Sequence, residues 1–159
     1  MVRDITSKII KSFLCGVLIS IMGCCSVIIA NAYASTNGTT IYETVFIHSF
    51  SAYNTAITNH DSNCKFAIGC TSIDAEQNLD GGYMFVKPSI YNSNGNLIAA
   101  GNIEYSSNNS SGMARSVTYY IYNNTSPSIR AKGIAGMWHE VQENYVVRTV
   151  PQTPLINNY

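Results

Sequence analysis

Oxygen-bearing side chains recur at alternate positions in Asp74-Ala75-Glu76-Gln77-Asn78-Leu79-Asp80. Asp74, Glu76, Asn78 and Asp80 thus have the spacing with which a calcium loop offers its ligands. Two departures weaken the match: Leu79 stands where the EF-hand turn needs glycine, and Phe85 where a bidentate acid would complete the cage. The segment suits a short capped helix better, with Thr71 or Ser72 as N-cap, acids in the first turn and Gly81 as terminator. His60, Asp61 and Cys64 have the residue types of a thiol enzyme. Nucleophilic catalysis needs a base and an orienting group that converge on the sulfur, and no known motif surrounds these residues. His48, His60 and His139 are not at zinc-ligand spacing. The expectation is no cofactor, no catalytic residue, and no metal beyond the weak calcium candidate.

The first 34 residues indicate where the chain works. Arg3, Lys8 and Lys11 precede an apolar run from Phe13 to Ala30, and Asn31-Ala32-Tyr33-Ala34 supplies the small residues of an A-x-A cleavage site. The run approaches the roughly 20 residues of a membrane helix, but the cleavage site directly behind it favours removal. A lipoprotein would need a polar tether after Cys24, where Cys25-Ser26-Val27-Ile28-Ile29-Ala30 instead prolongs the apolar run. The expectation is a secretory signal over residues 1–34, and a secreted domain over 35–159 with no stable membrane insertion after cleavage.

Cys15, Cys24 and Cys25 leave with that leader, so the secreted chain keeps Cys64 and Cys70. An even pair outside the cytoplasm predicts a disulfide. In a straight strand the two Cα atoms would lie about 20 Å apart and in a helix about 9 Å, whereas a disulfide needs about 4.4–6.8 Å. The pairing therefore requires a turn within Lys65-Phe66-Ala67-Ile68-Gly69, where Gly69 can supply a positive φ. The alternative is a strand with two thiols.

Six Lys and Arg stand against eight Asp and Glu in the secreted chain, with no basic cluster along the sequence. That gives a nucleic-acid backbone or an anionic membrane little to hold, so no nucleic-acid partner is expected. Polarity comes instead from Asn, Ser, Thr and Tyr. Such a surface suits a neutral polymer such as a surface glycan, or an extracellular protein, although codon bias would produce the same composition. Tyr119, Tyr120 and Tyr122 are the candidate binding surface. Strand alternation places Tyr119 with Val117 and Ile121, and Tyr120 with Tyr122 on the opposite face; ordinary β propensity also accounts for them.

These residues must be positioned by strands, because the secreted chain shows short apolar stretches between polar turns and no helical period. Segments 40–49, 82–91, 97–105, 113–122, 129–141 and 145–150 are rich in β-branched and aromatic residues. Asn94-Gly95 marks a hairpin turn. Pro88 places its strand at an edge or a bulge, and Gly133 and Gly136 predict a bend or two shorter strands. A second hairpin is expected between 116–122 and the strand opening at Ile129. The fold expected is all-β, a single antiparallel β-sandwich, with a small β-barrel as the alternative. Its core would include Ile41, Val45, Ile47, Phe85, Ile98, Ile103, Val117, Ile121, Ile134, Trp138 and Val146. The function expected is non-catalytic binding of a surface polymer or protein. A secreted bacteriocin-like antagonist and a small secreted hydrolase are the alternatives; the hydrolase requires a cleft with perturbed acids.

Overall fold

The structure, a computed structural model, describes residues 32–60, 65–121 and 128–157. Among them the regular elements are all strands: β1 (Ala32–Asn37), β2 (Ile41–Val45), β3 (His48–His60), β4 (Lys65–Leu79), β5 (Met84–Lys87), β6 (Ser89–Asn92), β7 (Leu97–Ala100), β8 (Glu104–Tyr105), β9 (Ser110–Ile121), β10 (Ile129–Ala131), β11 (Ile134–His139) and β12 (Asn144–Thr149). All their pairings are antiparallel, and no sheet closes into a barrel.

The first layer is built on the long pair β3 and β4. Phe50 stands opposite Ala75 at one end of their ladder and His60 opposite Lys65 at the other. β9 pairs along the free side of β4. On the other flank β2 follows the first half of β3 and β1 the second half, so two short strands share one edge. The alternation in β3 explains its exposure pattern: His48, Phe50, Ala52, Asn54, Ala56 and Thr58 are buried, while Ser49, Ser51, Tyr53 and Thr55 are less so. Small inward residues on β4 bring the second layer close. A Cβ at Gly69 would stand 2.8 Å from Ile90 Cγ1.

The second layer contains two sheets, ordered β12-β11-β5-β8 and β10-β6-β7. They meet at a line of breaks. Pro88 separates β5 from β6, Lys132 and Gly133 separate β10 from β11, and residues 101–103 separate β7 from β8. Past β12, Val150 N–H donates to Gly133 O and Thr153 N–H to Ala131 O, each at 3.0 Å, so the tail continues along the same neighbour. Proline cannot donate to a ladder. At Gly133 an added Cβ would run into Thr71 Oγ1 and lie 2.7 Å from Lys87 O, which leaves room only for glycine. Alternation survives the break: Met84, Val86, Ile90, Ile129, Ala131, Ala135 and Met137 all contribute to the interior.

That interior has two apolar halves. Phe50, Ile73, Met84, Val86, Met137 and Val150 are central to one, and Ala56, Ala67, Ile90, Ile129 and Ile156 to the other. A hydrogen-bonded pair lies in the same interior. Thr71 Oγ1 donates to Asn54 Oδ1 at 2.7 Å, and Asn54 Nδ2 donates to Val150 O at 3.1 Å and Pro151 O at 2.9 Å. Both side chains are fully buried, so these bonds replace the water each would otherwise need. Two ion pairs link the layers along their flanks, Arg115 to Glu104 at 3.0 Å and Arg148 to Glu43 at 3.1 Å.

Several expectations are corrected. Residues 71–79 are strand rather than helix: β4 pairs with β3 as far as Ala75, and with β9 through Asp74 and, after a register shift, again at Leu79. The turn expected within 65–69 is likewise an extended part of β4. Cys64 itself lies outside the described residues, and Cys70 is buried in β4. The expected second hairpin does not form: β9 pairs with β4 while β10 pairs with β6, so the chain passes from one layer to the other between them. Ile47 and Ile103 are exposed rather than core. Residues 1–31 of the expected signal lie outside the described residues, and β1 begins inside its last segment, at Ala32.

Candidate binding face

Odd-numbered positions of β5 and β6 and even-numbered positions of β10 and β11 point away from the core, and together they make one continuous outer face. At one end lies a cluster of four aromatic rings. Phe85 stands opposite Tyr105 on β8 and opposite Gly136 on β11, and Trp138 stands opposite Tyr145 on β12. Ring centroids are 5.1 Å apart for Phe85 and Tyr145, 5.1 Å for Trp138 and Tyr145, 5.7 Å for Tyr105 and Tyr145, and 5.9 Å for Phe85 and Tyr105. These spacings and their tilted or edge-on geometry are those of favourable aromatic pairs. Gly136 is what admits Phe85, since a Cβ there would overlap the Phe85 ring. Tyr145 is anchored by its hydroxyl, which donates to Gly82 O, and burial pushes that hydroxyl's pKa up. Phe85 is covered by its neighbours, whereas Tyr105 is 52 % exposed and Trp138 half-buried.

Beyond the rings the face runs over the line of breaks into a groove of about 330 Å³, lined in part by Lys87, Ser89, Tyr91, Lys132 and Thr149. Lys132 Nζ stands 5.7 Å from the centre of the Tyr91 ring, within cation–π range. Arg130 is directly opposite Tyr91 in the ladder of β10 and β6.

Two other groupings bring ionisable side chains together. At one end of the fold, Tyr83 OH donates to Glu140 Oε1 at 2.9 Å, and His48 Nε2 lies 3.5 Å from the same oxygen. His48 Nδ1 accepts from Gln77 Nε2 at 2.8 Å, which leaves the proton on Nε2, facing Glu140. Hydrogen bonds from Tyr83 first, and then His48, hold the Glu140 carboxyl below its usual range, and Glu140 in turn raises the Tyr83 hydroxyl. The acid and the base converge here, but the second nitrogen of His48 is occupied by an amide rather than by a nucleophile. On the outer face of the first layer, a groove of about 480 Å³ is lined by Tyr42, Ser51, Asp74 and Glu76 among others. Burial raises the Asp74 carboxyl.

The candidate residues from the sequence are dispersed. Tyr119 packs against the second half-core, Tyr120 lies on the opposite face of β9 and is 51 % exposed, and Tyr122 lies outside the described residues. Asp74, Glu76 and Asn78 are exposed at alternate positions of β4, where its pairing with β9 shifts register between Asp74 and Leu79. Among the described residues no three His, Cys, Asp or Glu side chains converge as a metal site would require. Asp61 and Cys64 of the thiol grouping lie outside the described residues. The ring cluster was not anticipated. Its sequence signal is the pattern Phe85, Gly136, Trp138 and Tyr145, in which a glycine on the outer face of one strand makes room for a ring from the next. Comparison with protein-family models, with curated proteins and with solved structures gives no match for this chain.

Proposed function

We propose that the chain is an exported, non-catalytic β-sandwich that binds a cell-surface polysaccharide with the outer face of its second layer. The contribution of both layers to each apolar half of the interior supports the sandwich over the barrel. The order of basic, apolar and small residues in the leader supports export. The observation that carries the binding reading is the cluster of Phe85, Tyr105, Trp138 and Tyr145. Its inner ring is buried and fixed, while Tyr105 and Trp138 offer flat, rigid apolar area to solvent at low entropic cost.

Co-sedimentation with insoluble cell-envelope polysaccharide tests this. Saturable pelleting that soluble glycan reverses is expected, with affinity at least tenfold weaker in Tyr105→Ala/Trp138→Ala. Absence of pelleting, or pelleting unaffected by that double change, sinks the proposal.

The groove beside Asp74 and Glu76 supports a second reading, a small glycoside hydrolase. A carboxyl raised by burial and a second one two residues along the same strand face are the types of group that such hydrolysis employs. Release of new reducing ends from the same polysaccharide, abolished in Asp74→Asn, would establish it.

A further inference from the structure

We infer that the polysaccharide is an acidic one, whose anionic groups are held by Lys87, Arg130 and Lys132; this rests on the binding reading above and specifies the chemistry of its ligand. The three cations are 43 and 45 positions apart from Lys87 in sequence and appear unrelated there. Pairing across the break line collects them. Lys87 is opposite Ile134 on β11, Lys132 N–H donates to Ser89 O at 3.0 Å, and Arg130 faces Tyr91. All three are half-buried on the same outer face.

Among the described residues none of the three forms an ion pair with an acid. Among the described residues the Arg and Lys ion pairs are Arg115 with Glu104 and Arg148 with Glu43, both at the flanks. Arg130 Nε is shielded from water and has no hydrogen-bond partner, an unsatisfied charged donor of the kind that folded proteins seldom leave without use. The Ser89 and Thr149 side chains that line the groove beside the lysines are neutral hydroxyl-bearing groups. In a secreted chain with more acids than bases, three cations gathered with no acid paired to them among the described residues make a local positive site. That site attracts an anionic group, and the groove is continuous with the rings that would stack on the same polymer. Carboxylate and phosphate share this chemistry, because each presents anionic oxygens to lysine and arginine.

The test compares polygalacturonate with its methyl ester, which has the same backbone without the charge, and dextran phosphate with dextran. Affinity at low salt should be about tenfold higher for a charged polymer than for its neutral counterpart, and the preference should shrink as salt rises. Lys87→Gln/Lys132→Gln should abolish the preference, bringing the affinity for each charged polymer to that for its neutral counterpart. Arg130→Lys, which keeps the charge but loses the guanidinium geometry, should weaken it in part. Polygalacturonate and dextran phosphate distinguish a carboxylate preference from a phosphate preference. Equal affinity for the charged and neutral member of both pairs overturns the inference, as does a preference that survives Lys87→Gln/Lys132→Gln. Tighter binding of a single-stranded oligonucleotide than of either charged polymer also overturns it, in favour of nucleic acid. Tyr105→Ala/Trp138→Ala reports on the ring reading separately. If that change leaves all binding unaltered while the lysine change removes the preference, the cation site stands and the ring reading falls.

Discussion

Replacing Asn54 by alanine removes three hydrogen bonds at one fully buried position. The bond from Thr71 Oγ1 and the two bonds to the carbonyls of Val150 and Pro151 all terminate on this side chain. At about 1–1.5 kcal/mol per buried bond whose partner is left unmet, the loss is about 3–4.5 kcal/mol, and incomplete collapse of the space adds to it. Against a total stability of about 5–15 kcal/mol, this is a large fraction. For a domain of this size it lowers the unfolding midpoint by about 10–20 °C. Asn54→Asp separates bonding from volume, since it is isosteric but turns the donating amide into an acceptor facing two carbonyls. Urea unfolding at neutral pH should find Asn54→Asp at least as destabilised as Asn54→Ala. Thr71→Val should cost about 1–2 kcal/mol, and the double change Asn54→Ala/Thr71→Val about 1 kcal/mol less than the sum of the single ones. An Asn54→Asp protein within 1 kcal/mol of the wild type, or strict additivity in the cycle, would refute the argument that this polar pair holds the layers together.

Other perturbations follow from local geometry. Gly133→Ala places a Cβ against Thr71 Oγ1 and 2.7 Å from Lys87 O; because backbone must move, a loss of about 3 kcal/mol is expected in denaturant melts, and a loss below 1 kcal/mol would contradict the close approach. Glu143 is an exposed residue with φ of 50° in the turn between β11 and β12, so Glu143→Gly should stabilise by up to about 1 kcal/mol, visible as a higher thermal midpoint. Glu140 has its carboxyl lowered from the ordinary value of 4.5 by its bonds from Tyr83 and His48. A depressed acid stabilises fully above its unfolded pKa and loses that contribution as pH falls through the folded one. Glu140→Gln should therefore lower the urea midpoint at neutral pH and differ progressively less from wild type as pH falls through the folded pKa of Glu140; a loss that stays the same as pH falls would show that charge is not the cause.

The sequence was most legible where turn chemistry acts alone. Gly95 has φ of +81°, and its N–H reaches Asn92 O at 3.0 Å, closing a hairpin turn in which the glycine takes the left-handed position. Pro88 and Gly133 do interrupt their strands. The central pair β3 and β4 was hidden because its inward positions include Asn54, Thr58, Gly69 and Thr71, so the apolar alternation that announces a half-buried strand is diluted by polar groups that find their partners only in the folded interior. The same polar content, with acids near Gly81, imitates a capped helix. The order of the strands was hidden for another reason. Nothing local distinguishes a hairpin from a crossing between layers, and β9 leaves for β4 rather than for β10. The candidate face shares that dependence, since Lys87 and Lys132, or Phe85 and Gly136, become neighbours only through register.

The line of breaks through Pro88 and Gly133 divides the second layer into two panels, with the rings on one, Arg130 on the other, and Lys87 and Lys132 at the boundary between them. From Arg130 to Trp138 the face extends about 26 Å along the strands. Under the proposed binding, a short ligand would occupy one panel at a time, whereas a chain long enough to reach both would make its second contact at the high effective concentration imposed by the first. On the proposed polysaccharide reading, the division into panels predicts sensitivity to polymer length: affinity should rise steeply once the chain spans both panels and level off beyond it.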